Sequence, residues 1–127
     1  MTQTVIPQLR MRDAALTLPF YLDGLGFTLD WEHRFESGLP LFCQISRDDQ
    51  TLFLTEHSGD CEPGGAVYLI VPDVDACHRA FTGRGVVIEQ PPADTPWDTR
   101  EMRVIDPDGN RLRFASDLDP ASAAAAG

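Results

Sequence analysis

The sequence predicts an α+β fold built from two βαβββ modules, and three observations support this prediction. The chain has 127 residues, of which 43% are apolar, so it can bury one compact core but hardly two. A β-hairpin pattern at 103–114 has an echo sixty residues earlier at 47–54. The same offset relates Asp13 to Asp73, each at the start of a helical pattern, so the chain repeats one structural unit.

The closing hairpin is the strongest local signal. Its two strand patterns are joined by Asp106-Pro107-Asp108-Gly109-Asn110. Proline presets φ for a turn, glycine and asparagine tolerate positive φ, and aspartate carboxylates can accept hydrogen bonds from free backbone amides. These residues therefore predict a tight turn that is capped by its own side chains.

The first module is predicted as a strand, a helix and three strands. The strand patterns lie at 5–9, 27–32, 41–45 and 51–55. The helix has Asp13 as its N-cap and closes at the Gly24 and Gly26 pair. Pro19 lies within it and predicts a kink or a late start, because proline lacks the helical N–H donor and clashes with the preceding turn.

The second module repeats this order. It has a strand at 66–71, a helix from the N-cap Asp73 to Gly83-Arg84-Gly85, a strand at 86–89, a proline-rich loop at 91–97 and the hairpin. We expect a single domain over 1–116, with module 1 at about 4–56, a linker at 57–65, module 2 at about 66–116, and a disordered tail at 117–127.

Charge and cysteine content restrict the expected partners. Twenty acidic and ten basic residues give a formal net charge of −10, which argues against nucleic acid and against an anionic membrane, since both require a basic patch. The excess acid either keeps the protein soluble or attracts cationic ligands. Three cysteines without Cys-x-x-Cys spacing, and the lack of an apolar leader at the start, favour a reduced cytoplasm.

Period-two alternation divides the strand residues between two faces. The face to be covered by helices carries Val5, Leu9, Leu52, Leu54, Val67, Leu69, Val71, Leu112 and Phe114. The concave face carries Ile6, Gln8, Phe53, Thr55, Ala66, Tyr68, Arg111 and Arg113. Aromatic rings beside a few hydrogen-bonding groups indicate a small-molecule site. The alternative is that Phe53 and Tyr68 only fill the core.

The repeat resembles the vicinal-oxygen-chelate superfamily, which includes glyoxalase I, extradiol dioxygenases and bleomycin-resistance proteins. The resemblance covers about residues 4–116. It is carried by the segment 9–13, by Phe20-Tyr21 followed by Leu25-Gly26-Phe27, and by Asp106-Pro107-Asp108-Gly109. It implies a glyoxalase-like pair of half-barrels with a concave cleft.

Enzymes of that superfamily hold a divalent metal with His or Glu side chains at four strand positions. The shared motifs match these positions to Ile6, Phe53, Ala66 and Arg113. Three of these side chains offer no donor and the fourth is permanently cationic, so we expect no metal and no other cofactor. The alternative is a metal-dependent lyase or dioxygenase with relocated ligands, for which Glu32-His33 and Glu56-His57 are the candidate pairs.

Within the superfamily, the chain most resembles the bleomycin-resistance proteins, which bind the drug without transforming it. The matching pieces are 47–54, Pro96-Trp97 before Arg100-Glu101, and the closing hairpin. The resemblance implies a homodimer that exchanges its first strand and forms clefts at the interface. The ligand-binding residues indicated by this match and by strand alternation are Trp31, Phe35, Phe53, Thr55, Tyr68, Trp97, Arg111 and Arg113.

The predicted function is therefore metal-free binding and sequestration of a bleomycin-type or other flat cationic antibiotic, with no catalytic residues. A sensor or carrier of another small molecule is a further alternative. A cationic drug would meet the acidic residues that we expect to rim the cleft, which are Asp30, Glu32, Glu36, Asp48, Asp49, Asp94, Asp98 and Glu101. Such attraction speeds capture and is screened by salt.

Overall fold

The computed structural model describes residues 3–118 and consists of two mixed four-stranded sheets with two helices. The elements of the first module are β1 (Gln8–Arg10), α1 (Ala14–Pro19), a π-helical turn (Phe20–Gly24), β2 (Thr28–His33), β3 (Phe42–Arg47) and β4 (Gln50–Thr55). Those of the second are β5 (Ala66–Ile70), α2 (Val74–Gly83), β6 (Gln90–Asp94), β7 (Thr99–Ile105) and β8 (Arg111–Asp117). The predicted α+β fold of two βαβββ modules is confirmed.

The two sheets have the same topology. Their strand orders are β1-β4-β3-β2 and β5-β8-β7-β6, with the first pair of each sheet parallel and the others antiparallel. Buried side chains of both modules form one core cluster, which includes Tyr21 and Ile45 from the first and Phe81 and Phe114 from the second. The helix-covered faces of the two sheets therefore share a single core, as the repeat length predicts.

Both predicted N-caps are confirmed. The carboxylate of Asp13 accepts from the backbone N–H of Ala15, and that of Asp73 accepts from the N–H groups of Asp75 and Ala76. Pro19 is the last residue of α1. It is followed by a π-helical turn in which the Leu25 N–H donates to the Phe20 carbonyl. The helix thus continues past the proline with a wider hydrogen-bond spacing.

The Asp106–Asn110 turn joins the two modules. Its Gly109 has a φ of 81°, and Asp106 caps the turn by accepting from the backbone N–H of Asp108 and of Asn110 at 2.8 and 2.9 Å. The other Asp106 oxygen accepts from the Tyr21 hydroxyl at 2.6 Å, and Asp108 accepts from the Thr17 hydroxyl at 2.6 Å. The predicted self-capped turn is confirmed, and its carboxylates also hold the helical segment of module 1.

Two details differ from the sequence-based expectation. No strand forms at 86–89; instead β6 runs through Pro91 and Pro92, which an edge strand tolerates because its outward N–H groups need no partner. β8 continues to Asp117, one residue beyond the expected domain end, and the rest of the expected disordered tail, from 119 onward, lies outside the described residues. Within the single chain, β1 pairs in parallel with β4, and the exchange of the first strand between copies stays a prediction.

Equivalent rows of residues cross the concave faces of the two sheets. In the first sheet the row is Gln8, Phe53, Gln44 and Trp31. In the second it is Tyr68, Arg113, Arg103 and Gln90. The two rows obey the offset of sixty at Gln8 and Tyr68 and at Phe53 and Arg113. Related backbone positions thus carry different side chains: glutamine is matched by tyrosine at the first of these positions, and phenylalanine by arginine at the second.

Among the described residues, no helix combines the length and the apolar character needed to cross a membrane.

Candidate ligand-binding site

Aromatic rings cover the concave face of the first sheet. Trp31 on β2 stacks on Phe42 with 5.8 Å between ring centroids and an interplanar angle of 22°. Phe53 on β4 packs against both rings, at 5.8 Å from Trp31 and 5.0 Å from Phe42. Cross-strand pairing places these three side chains on one face, and Trp31 remains 44% exposed. The cluster offers a flat apolar surface to a ligand.

A cavity of about 480 Å³ opens beside this cluster, and its walls are Trp31, His33, Phe35, Phe42, His57 and Asp60. Phe35 is 75% exposed and lies edge-on to His33 at 4.8 Å and to His57 at 6.4 Å. A volume of this size suits a small organic ligand. The first sheet therefore combines aromatic stacking surface with two imidazoles and a carboxylate.

Thr55 is the predicted ligand contact that the structure contradicts. It is fully buried, its hydroxyl donates to Asp60 at 2.7 Å, and it accepts from the His57 backbone N–H at 3.1 Å. Alternation assigned it to the same face as Phe53, but the segment that follows β4 folds back over it. Thr55 therefore positions Asp60 and is not available to a ligand.

Glu101 organises the concave face of the second sheet. Its carboxylate accepts from the Tyr68 hydroxyl, from the Trp97 indole N–H at 3.0 Å and from the Thr99 hydroxyl at 2.8 Å. The Arg113 guanidinium lies 3.6 Å away and also approaches the face of the Tyr68 ring, at 5.9 Å from its centroid. One buried carboxylate thus fixes three of the predicted ligand-binding residues.

This network sets the ionisation of its members. Burial favours the neutral form of Glu101, but the donors Tyr68, Thr99 and Trp97 and the charge of Arg113 outweigh burial, so the pKa of Glu101 is lowered. Burial and the bond to Glu101 raise the pKa of Tyr68. Because the folded-state pKa of Glu101 lies below its unfolded value, its contribution to stability is present above that unfolded value and is lost as pH falls through the folded pKa.

The second sheet keeps much of its aromatic surface open. Tyr68 is 46% exposed and Trp97 is 61% exposed. A cavity of about 170 Å³ lies between Trp97, Glu101, Arg103 and Arg113, and a neighbouring one of about 310 Å³ includes Tyr68 and Arg111. The predicted residues are therefore divided between the sheets, with Trp31, Phe35 and Phe53 on the first and Tyr68, Trp97, Arg111 and Arg113 on the second.

The predicted acidic rim holds only in part. Glu101 is buried within its network, and Asp48 and Asp49 form the β3–β4 turn and line a different cavity with Leu69 and Pro72. Asp94 is paired with Arg100 at 2.8 Å. Asp30 does reach the first concave face, where it accepts from Gln44 and Ser46. Composition alone did not distinguish these environments.

Glu56, one member of a suggested relocated metal pair, has a structural role. Its two carboxylate oxygens accept from the backbone N–H groups of Ala14 and Leu41, each at 2.8 Å. It therefore caps the start of α1 and anchors the chain before β3. Within residues 3–118 no group of three or more His, Cys, Asp or Glu side chains is arranged to hold a metal ion.

Sequence reasoning missed several residues of the two faces, chiefly Phe42, His33, Arg103 and the central role of Glu101. Alternation of buried and outward residues within β3 and β7 could have indicated Phe42 and Arg103. Cys43 and Ile45 are buried in β3, which turns Phe42 to the concave face, and Met102 and Val104 are buried in β7, which turns Arg103 to it.

Comparison with known proteins agrees with this architecture. A family model described as glyoxalase superfamily protein matches residues 1–121. The chain belongs to the glyoxalase superfamily. No curated protein matches the sequence.

Solved structures with the glyoxalase superfamily fold resemble the chain over nearly its whole length. A bleomycin-binding protein in complex with bleomycin is 25% identical, with a TM-score of 0.72, over 91% of this chain and 99% of that one. A glyoxalase/bleomycin resistance protein from Streptomyces sp. CB03234 is 25% identical, with a TM-score of 0.72, over 88% and 98%. TnmS3, an antibiotic binding protein from the same organism, is 24% identical, with a TM-score of 0.71, over 92% and 98%.

Proposed function

We propose that this protein binds and sequesters a flat aromatic antibiotic of the bleomycin type, without a metal and without transforming it, and so confers resistance. The observation that carries the proposal is the pair of exposed aromatic surfaces, Trp31 with Phe35 on one sheet and Tyr68 with Trp97 on the other. Rings of this size stack on planar ligands. The likeness to a bleomycin-binding protein supports this choice of ligand.

Charge on the first sheet supports a ligand with a cationic group. Asp60 lines the aromatic cavity, and Asp30 lies on the same face with its carboxylate held by Gln44 and Ser46. A cation placed beside these carboxylates would be attracted both locally and by the net charge of −10. The stacking surface and the negative charge therefore lie together.

Binding of bleomycin tests the proposal directly. Titration of the full chain with the drug is expected to change tryptophan fluorescence saturably and to protect DNA from drug-induced cleavage, because bound drug is withdrawn from solution. A ligand that binds only the folded state also raises the melting temperature. Treatment of the drug-free protein with EDTA is expected to leave that temperature unchanged.

The titration also defines the outcome that would exclude the proposal. If bleomycin alters neither the fluorescence nor the melting temperature, and DNA is cleaved as fast as without protein, sequestration of this drug is excluded. Turnover of the drug, seen as a new product by mass spectrometry, would replace sequestration with an enzymatic activity.

We also propose that the functional unit is a homodimer in which the concave faces of two copies cover one another. Ile70, which follows Tyr68 on the same face of β5, is 69% exposed, and Phe35 and Trp97 are exposed on the two sheets. A two-fold axis repeats one contact twice and would cover both faces. The exchange of β1 between the two copies, which the resemblance implies, stays a prediction of this proposal.

Sedimentation equilibrium of the full chain is expected to give twice the mass of one chain. Ile70→Asp should shift the protein toward monomer, because it places a charge in the proposed interface. Leu16→Asp is the matched control, since Leu16 on α1 is 66% exposed and lies away from the concave faces. A wild-type monomer at every concentration, or equal effects of the two variants, would argue against this dimer.

A further inference from the structure

On the second concave face, the nearby carboxylates do not balance all of the positive charge. A cavity of about 310 Å³ there is lined by Ala66, Val67, Tyr68, Arg103, Arg111 and Arg113. Three guanidinium groups thus border one cavity in a chain whose formal net charge is −10. The acidic composition of the chain gives no hint of this local excess.

Two of these arginines face each other across the sheet, and each is paired with its own carboxylate. Arg103 on β7 lies directly opposite Arg113 on β8, and like charges in that arrangement repel. Each has its own carboxylate, because Arg103 is paired with Glu89 and Arg113 lies 3.6 Å from Glu101. These two pairs leave little net charge on the row.

Arg111 is the cation without a counter-charge. It lies opposite Ala66 on one side and Ile105 on the other, neither of which can balance it. Within residues 3–118 it forms no salt bridge, and its side chain is exposed to the cavity. The cavity therefore keeps about one positive charge after its internal pairs are formed.

Arg113 lines the same cavity as Arg111 and is held there by Glu101. Glu101 holds it by its Nε side, and among the described residues its two terminal nitrogens donate no hydrogen bond. A guanidinium fixed in this way presents its remaining donors as a planar fork, the geometry that suits a carboxylate. The adjacent Tyr68 ring supplies an apolar surface beside that fork.

We propose that Arg111, assisted by Arg113, binds a carboxylate of the ligand while part of the ligand's aromatic system packs on Tyr68. This inference rests on the proposed sequestration of a flat aromatic ligand, and it extends the ligand class beyond bleomycin itself to planar aromatic compounds that bear one carboxylate. The residual single charge matches a monoanion, and the cavity has more room than a carboxylate alone would occupy.

Matched probes test the inference on the full chain by isothermal titration calorimetry. The probes are 2-naphthoate, its neutral isostere 2-naphthamide, and inorganic phosphate as an anion without a ring. Naphthoate is expected to bind about tenfold tighter than naphthamide, since hydrogen bonds to charged groups contribute more than neutral ones. Phosphate is expected to bind far more weakly than naphthoate because it cannot use the Tyr68 ring.

Arg111→Gln is expected to abolish the preference for naphthoate and to leave the affinity for naphthamide within about twofold of wild type. Arg79→Gln is the matched control, because Arg79 is exposed on α2, away from the cavity, and forms no salt bridge within residues 3–118. It removes the same charge from the chain and should leave the preference intact. Raised salt should narrow the difference between the two probes.

Several results would overturn the inference. They are equal affinity for naphthoate and naphthamide, absence of binding by both, equal losses in the Arg111 and Arg79 variants, and phosphate affinity as high as that of naphthoate. If bleomycin binds but naphthoate shows no preference, the anion site fails and the proposed function stands. If naphthoate shows the preference but bleomycin does not bind, the proposed ligand fails and the anion site stands.

Discussion

Replacement of Asp106 by Ala is expected to lower the free energy of unfolding by about 3–5 kcal/mol, a large part of the total for a domain of this size. Asp106 is 4% exposed and its carboxylate accepts four hydrogen bonds. Alanine would leave the Tyr21 hydroxyl and the backbone N–H groups of Asp108 and Asn110 buried without an acceptor. The Asn110 side-chain amide would keep only its bond to the Arg10 carbonyl. Urea denaturation followed by circular dichroism measures the loss.

Graded variants identify the cause of that loss. Tyr21→Phe removes one donor and is expected to cost about 1–2 kcal/mol, while Asp106→Asn keeps one acceptor oxygen and should fall between the two. Asp23→Ala is the control, because Asp23 is exposed and forms no hydrogen bond through its side chain in the described part of the chain; it should change stability by less than about 0.5 kcal/mol. Equal losses in the Asp106 and Asp23 alanine variants would show that the turn does not hold the modules together.

Trp97→Ala is expected to weaken bleomycin binding about tenfold or more while leaving the fold intact. Trp97 is 61% exposed, and stacking on a ring contributes about 0.5–1.5 kcal/mol beyond the burial of its area. The substitution also removes the indole donor that Glu101 accepts at 3.0 Å, so the ring's position and its surface are lost together. Fluorescence titration measures the effect, with Trp31 as the remaining reporter.

Trp97→Phe separates these two contributions. It keeps an aromatic face but cannot donate to Glu101. A small loss of affinity would therefore show that stacking of the ring makes the main contribution to binding, and a large loss would show that the bond to Glu101 that positions the ring does. Leu16→Ala removes an exposed apolar side chain from α1 and should leave affinity unchanged. If Trp97→Ala binds bleomycin as well as Leu16→Ala does, the second sheet does not contact the drug.

Most of the fold could be predicted from sequence because its determinants are local or periodic. Asp13 and Asp73 cap helices by bonds that span two or three residues, and the turn residues from Asp106 to Asn110 act within five. The offset of sixty residues then indicates that the two modules share one topology. What escaped prediction was β6, whose two prolines suggest a loop unless the strand is known to lie at the edge of its sheet.

The candidate sites were predicted less completely, since their chemistry depends on contacts between distant segments. Alternation assigned Phe53 to the concave face, but Thr55 was assigned there too and is covered by the segment that ends at Asp60. Glu101 became central only because Tyr68 and Trp97, from β5 and from the loop before β7, both reach it. No spacing in the sequence encodes that convergence.

The Asp106–Asn110 turn has a consequence for how the chain acquires its structure during synthesis. The hydroxyls of Thr17 and Tyr21 find their carboxylate partners 91 and 85 residues downstream, so the first module cannot satisfy its own buried polar groups when it leaves the ribosome. Completion must wait for the closing hairpin, and contacts of such high sequence separation slow folding. The repeat therefore yields two copies of a topology but a single cooperative unit, in which the later copy completes the earlier one.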